Sequence, residues 1–231
     1  MSEFFEHSIF FGVAVSLCVY GLGTALQKRF KKCPLFNPLL ISAVLIIALL
    51  TAAHINYEVY NAGAKYLSYL LTPATVCLAV PLYEKLTLLR RNAAAVLAGV
   101  LAGVITTLVS VLLLAALFGL SHAEYVTLLP KSITTAIGMG VSEELGGHVT
   151  VTVAAIIVTG LTGSMIAPGL CRLLRITDQV AKGIAIGTAS HAMGTAKAME
   201  MGETEGAMSS LAIVVSGVLT VAGASVFANF L

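Results

Sequence analysis

Five apolar runs, residues 8–26, 34–53, 92–118, 149–171 and 206–231, constrain every fold this chain can adopt. Most approach the ~20 residues a helix needs to cross the hydrocarbon core of a bilayer. Hydrophobic residues make up 58% of the 231 and charged residues only 10%, against roughly 25% charged in soluble domains. A soluble core does not explain that balance. A sixth run, 66–84, has the length but contains Pro73 and Pro81, so it reads equally as a kinked span or as a discontinuous element. The stretches between runs are short. The expected fold is therefore all-α: one integral membrane domain over residues 1–231, a polytopic helical bundle with about six full spans. Soluble nucleic-acid binding and cytosolic catalysis are excluded on the same grounds.

Net charge is only +2, but its placement is informative. Lys28, Arg29, Lys31 and Lys32 crowd the first loop, Lys85, Arg90 and Arg91 precede 92–118, and Arg172, Arg175 and Lys182 follow 149–171. Only Lys65 sits in the other connections. Basic loops stay cytoplasmic, which places the N-terminus outside. MSEFFEH has no basic n-region and 8–26 lacks a cleavage site of small residues, so a removed signal peptide is not expected.

Two polar stretches break the apolar rhythm, 130–148 (PKSITTAIGMGVSEELGGH) and 183–200 (GIAIGTASHAMGTAKAME). Ionisable groups and helix breakers at membrane depth persist where they line a polar cavity or a solute path. Counting sides fixes their geometry. The loop 119–129, with His122 and Glu124, falls outside and Arg172 inside, and 149–171 already joins those sides. Residues 130–147 must then cross an even number of times, and 18 residues cannot cross twice as helices. They are expected to form a re-entrant hairpin from outside, and 182–200 a second one from inside. Shifting the chain by 57 residues lays 154–160 (AAIIVTG) on 211–217 (LAIVVSG) and Glu143 on Glu200. Two hairpin-plus-span units in tandem have opposite orientation, so an inverted repeat is expected, as in many secondary transporters.

In the second stretch Gly187, Ser190 or His191, and Gly194 share a helix face. Thr188, Ser190, His191, Gly194 and Thr195 are the expected substrate-binding residues there, matched by Lys131, Ser132, Thr134 and Thr135 after Pro130. Helix N-termini at the breaks would present unpaired N–H groups, a setting for a small carboxylate. Lys131 reads as the counter-charge, or as a side chain snorkelling to the interface. His191 reads as a proton carrier or hydrogen-bond donor, or as a neutral packing residue. Glu143 and Glu200 are candidates for a coupling ion or proton, alongside His191, or simply pair with Lys131 and Lys197. Glu203 and Glu205 are expected in a short solvated connection.

Cysteines 18, 33, 77 and 171 are scattered without a CxxC and read as buried apolar thiols. The five histidines (7, 54, 122, 148, 191) lack the spacing of a metal site. No HExxH, GxSxG, P-loop or dinucleotide fingerprint is present, so neither an enzyme nor a cofactor is expected. With no Trp, an interfacial aromatic belt falls to tyrosines such as Tyr57, Tyr60, Tyr66 and Tyr69.

The patterns 35-LFNPLLI-41, 72-TPATVCLAVPLYE-84, 129-LPKSITTAI-137, 146-GG-147, 187-GTASHAMGTAKAME-200 and 205-EGAMSSLA-212 resemble the LrgB/CidB family of bacterial membrane proteins, over about residues 34–220. Ala136 stands where members usually carry a Pro. The resemblance implies a multi-pass protein of the bacterial inner membrane, holin-like or antiholin-like, linked to murein hydrolase activity and lysis and working with a small LrgA/CidA-type membrane protein. Likeness to the plastid glycolate/glycerate translocators implies instead a carrier of small monocarboxylates such as pyruvate, glycolate or lactate. The polar hairpins favour the carrier, because a holin forming large lesions has no use for a selective site. The expected partners are a small monocarboxylate, the LrgA/CidA-type protein, lipid, and further copies of the chain in a homo-oligomer.

Overall fold

The computed structural model describes residues 10–29, 37–70, 73, 76–77, 79–84 and 86–231. Lys31, Lys32, Cys33 and Lys85 lie outside the described residues, as does part of the Pro-containing run 66–84. Among the described residues every regular element is helical, and the chain forms two compact units that divide after residue 77.

The first unit contains α1 (Phe11–Arg29), α2 (Pro38–Ala52) and α3 (Tyr57–Ser68). Asparagines start two of these helices. Asn37 Oδ1 accepts the Leu39 N–H at 2.9 Å, just ahead of Pro38, and Asn56 Oδ1 accepts the Glu58 N–H at 3.2 Å. Such caps satisfy N–H groups that a helix start leaves unpaired. α1 packs against both neighbours, and Ser16 Oγ and Tyr60 Oη share a hydrogen bond of 2.7 Å. α3, at 12 residues, is about 18 Å long and too short to span. Of the tyrosines singled out in the sequence, Tyr57, Tyr66 and Tyr69 are exposed, whereas Tyr60 is half-buried against α1.

The second unit begins with the short helices α4 (Ala79–Glu84) and α5 (Leu86–Arg91), followed by α6 (Ala93–Phe118), α7 (His122–Leu128), α8 (Thr135–Glu144), α9 (Val149–Leu173), α10 (Gln179–Met201) and α11 (Glu203–Phe227) with a 3₁₀ turn at Ala228–Phe230. α6 is apolar all round, yet only one seam is buried: Val96, Val100, Val104, Leu108, Val111 and Ala115. These recur every three or four residues and face the bundle. Leu97, Leu101, Ile105, Leu113 and Leu117 point outward, as a lipid-facing stripe does. Tyr125, Leu129, Ile184, Met208 and Ala212 complete the core of this unit.

Among the described residues three helices are long and apolar enough to cross a membrane: α6, α9, and α11 with its terminal turn. Six were expected. α2 is apolar but only 15 residues long, and α3 is amphipathic and short. The thiols also differ from expectation: Cys171 is buried, whereas Cys18 and Cys77 are exposed.

The expected loop 119–129 is largely helical. Gly119 ends α6 at φ 64, and Ser121 and Glu124 form a capping box that starts α7. The Ser121 hydroxyl and N–H both donate to Glu124 Oε2, at 2.7 and 2.8 Å. These bonds, the hydroxyl first, hold the Glu124 carboxyl below the usual carboxylate range against slight desolvation. A depressed folded pKa supports stability above the ordinary carboxylate range, and that support is lost as pH falls through the folded value. Ser121→Ala should move the Glu124 titration upward and flatten this acid-side dependence. A carboxyl NMR titration reads it directly, and an unmoved Glu124 would contradict the capping account.

Candidate functional site

α10 is two helices joined at a break. His191 lies at φ 42, ψ −137, a conformation of the first central position of a type II′ turn and one that favours glycine. The limbs, Gln179–Ser190 and Ala192–Met201, fold back on each other. Contacts with α11 show the directions. A Cβ on Gly183 would meet the Glu205 carbonyl and Met208, and one on Gly187 would meet Ser209 and Ala212, so the first limb runs parallel to α11. Met199 packs against Gly206, and Thr195 Oγ1 bonds Ser209 Oγ at 2.6 Å, so the second limb runs antiparallel to it. The first limb, 12 residues long, measures about 18 Å, short of the ~30 Å core of a bilayer. The sequence predicts a hairpin over 182–200 without fixing its turn, and the backbone turns at His191.

The tip is seated on α9. His191 Nε2 lies 3.0 Å from the Ile156 carbonyl. Its ring packs so closely on Gly160 that a Cβ there would come within 2.6 Å of it, and Ser190 fills the space a Cβ on Gly163 would need. Thr188, Ser190, His191, Gly194 and Thr195 are all buried. Thr188 Oγ1 has no hydrogen-bond partner, and its methyl packs on Gly103 of α6.

The first hairpin is built differently. Its descending limb is α7 plus residues 129–134, and its returning limb is α8. Gly146, at φ 78, ends α8 with a Schellman turn: Gly147 N–H donates to the Ser142 carbonyl at 2.7 Å and Gly146 N–H to Glu143 at 3.2 Å. A buried hydroxyl cluster ties the limbs to α9. Thr152 Oγ1 reaches Ser142 Oγ at 2.7 Å and the Thr127 carbonyl at 2.9 Å, while His148 N–H donates to Thr127 Oγ1 at 2.7 Å. Toward the tip, Gly138 lies against the Ile156 side chain. Ile156 is thus common to both hairpins, with its carbonyl toward His191 and its side chain toward Gly138.

Of the residues singled out in the sequence, Ser132 is buried and accepts from Lys131 Nζ at 3.1 Å. Thr134 is the N-cap of α8, and Thr134 and Thr135 are half-buried. The acidic candidates lie elsewhere. Glu143 is exposed on the last turn of α8. Glu200 sits at the base of the second hairpin, paired with Lys197 at 2.7 Å rather than with the tip. Glu205, expected in a solvated connection, is only 4% exposed. The residues missed were Ile156, Gly160, Gly163, Ser209 and Gly103. Gly160 and Gly163 carried a signal in their three-residue spacing, since small residues let helices approach in a bilayer. A carbonyl partner such as that of Ile156 leaves no mark in sequence.

A model of the LrgB-like family matches residues 16–230. The antiholin-like protein LrgB of Bacillus cereus (strain B4264) is 38% identical over 222 residues, covering 96% of this chain and 96% of that protein. The antiholin-like protein LrgB of Bacillus anthracis (strain A0248) gives the same figures, 38% over 222 residues and 96% of each. No solved structure matches. A match through both compact units, together with three helices of spanning length, leads to the identity: the chain is a membrane protein of the LrgB-like family.

Proposed function

We propose that this chain is an antiholin-like protein of the bacterial inner membrane, restraining murein hydrolase activity and lysis alongside a small LrgA/CidA-type membrane protein. The observation that carries this is end-to-end similarity to relatives bearing that name, 38% identical over 96% of both chains. Deleting the coding sequence should raise the autolysis rate and the murein hydrolase bands of a zymogram, and re-expression should restore both. Unchanged lysis in the deletion strain would remove the reading.

One feature of the geometry favours a second reading, carriage of small monocarboxylates by alternating access. Buried hydroxyls at Thr188, Ser190 and Thr195 surround a helix break, and Thr188 Oγ1 lacks a partner. The second limb of α10 and α8 both begin at hairpin tips, so their dipoles place positive ends there. α9 and α11 run in opposite directions, which supports reading the two hairpin-plus-helix units as an inverted repeat. In this reading Lys131 supplies counter-charge, His191 orients the substrate or carries a proton, and the basic ends of the helices face the cytoplasm. Proteoliposomes separate the readings. Saturable uptake of labelled pyruvate, glycolate or lactate, reduced about tenfold or more by Lys131→Ala, corresponds to loss of a charge-assisted hydrogen bond and supports the carrier. Release of large dyes irrespective of charge marks a lesion former, and inertness without the small partner marks a scaffold.

A further inference from the structure

Where α9 ends, the base of the second hairpin borders a cavity of about 680 Å³. Arg172, Arg175 and Lys182 line it, with Pro168 and Met201 among its apolar walls. Among the described residues none of the three cations pairs with a carboxylate. Glu205 lines the same cavity, and its Oε2 is buried without a hydrogen-bond partner. The lining therefore offers three cations that form no ion pair and one buried carboxylate oxygen that lacks a donor. A bare phosphate or carboxylate would satisfy the cations but would meet Glu205 as a second acceptor. A ligand that fits both needs an anionic group and an O–H donor on one short scaffold. Beside the cavity Leu170, Leu173 and Leu174 turn outward, with Leu173 78% exposed, the kind of surface on which acyl chains lie.

We propose that this cavity holds the headgroup of an anionic, hydroxylated phospholipid. Its phosphate sits among Arg172, Arg175 and Lys182, a headgroup hydroxyl donates to Glu205, and the acyl chains run over the outward leucines. Basic pockets between spanning helices bind phospholipid headgroups in this way. Holding the α9–α10 connection and the start of α11 together, such a lipid would brace the base of the second hairpin.

Native mass spectrometry of the full chain in uncharged detergent tests this with four probes: phosphatidylglycerol, phosphatidic acid, phosphatidylcholine and soluble glycerol 3-phosphate. Phosphatidylglycerol should bind about tenfold tighter than phosphatidic acid, which lacks the headgroup hydroxyls. The double variant Arg172→Ala/Arg175→Ala should lose about tenfold or more of that affinity. Glu205→Ala should erase the preference over phosphatidic acid, whereas Glu205→Gln, which keeps an acceptor oxygen, should retain it. Equal binding of phosphatidylcholine would overturn the proposal. So would full competition by glycerol 3-phosphate, which identifies a soluble-anion site, or a preference that survives Glu205→Ala. If Glu205→Ala does not fold, the wild-type ranking and the arginine variant decide.

Discussion

Gly187→Leu is expected to destabilise the second unit severely, costing about 3 kcal/mol or more. A Cβ at this position would run into the Ser209 carbonyl and would lie 2.9 Å from Ala212 Cβ. Both belong to the backbone or to its first side-chain atom, so neither can swing aside as a long side chain would. Accommodating leucine requires the first limb of α10 to lift from α11. The lift also strains the Thr195–Ser209 hydrogen bond, 2.6 Å long and buried, which is worth about 1 kcal/mol. Gly169→Ala is the control. Nothing lies within 4 Å of a Cβ there, and alanine in a helix interior is favoured over glycine by roughly 0.5–1 kcal/mol. Thermal unfolding in mild detergent should show a large drop for the first variant and none for the second. A Gly187→Leu protein that melts with the wild type would mean that the limb does not rest on α11 as described.

Substitutions at His191 should invert the usual order of glycine and alanine. Inside a regular helix glycine is worse than alanine by about 1 kcal/mol. His191 sits at φ 42, ψ −137, where a residue with a Cβ carries about 1–3 kcal/mol of strain and glycine carries little. His191→Ala loses the buried ring and the bond to the Ile156 carbonyl while keeping the strain, for a cost of about 3 kcal/mol. His191→Gly loses the same contacts but relaxes the backbone, so it should be the milder variant by about 1 kcal/mol. Glycine proving worse than alanine would show that position 191 is helical and that α10 runs unbroken.

The difference matters for the hairpin as a device. The His191 side chain is held by Gly160 and the Ile156 carbonyl, and Ser190 beside it by Gly163. Strain at the turn is thus opposed by close packing on α9. The bend therefore depends on α9 as well as on the turn itself.

Much of the second unit was legible in the sequence for a physical reason. Apolar runs long enough to cross a bilayer are dictated by bilayer thickness, and α6, α9 and α11 fall on three of them. The break in 183–200 was legible because glycine, serine and histidine at membrane depth are costly unless the backbone or a cavity answers them. Other features were not. The seam of α6 could not be read, because lipid tails are as apolar as a core and composition does not separate the two faces. α7 was hidden because seven residues between two glycine- and proline-bearing stretches make too short a period to register. Glu205 was misplaced because a carboxyl two residues into a helix looks solvated until α10 is folded over it. For Glu143 and Glu200 the sequence left a coupling role and simple pairing both open; the structure pairs Glu200 with Lys197 and leaves Glu143 exposed at the end of α8.

By itself the amino-acid sequence determined that this chain is helical and membrane-embedded, that two polar segments interrupt it, and, through its motifs, which family it resembles. The first two follow from properties summed along the chain, chiefly hydropathy and the polarity that interrupts it, and the third from the motifs themselves. Only the tertiary structure decided that the backbone reverses at His191, that Gly160, Gly163 and Gly187 are seats for neighbouring backbone and side chains, and that Ile156 is common to both hairpins. These depend on approaches between segments distant in sequence, where a missing Cβ or one carbonyl lone pair settles the packing and no local pattern records it.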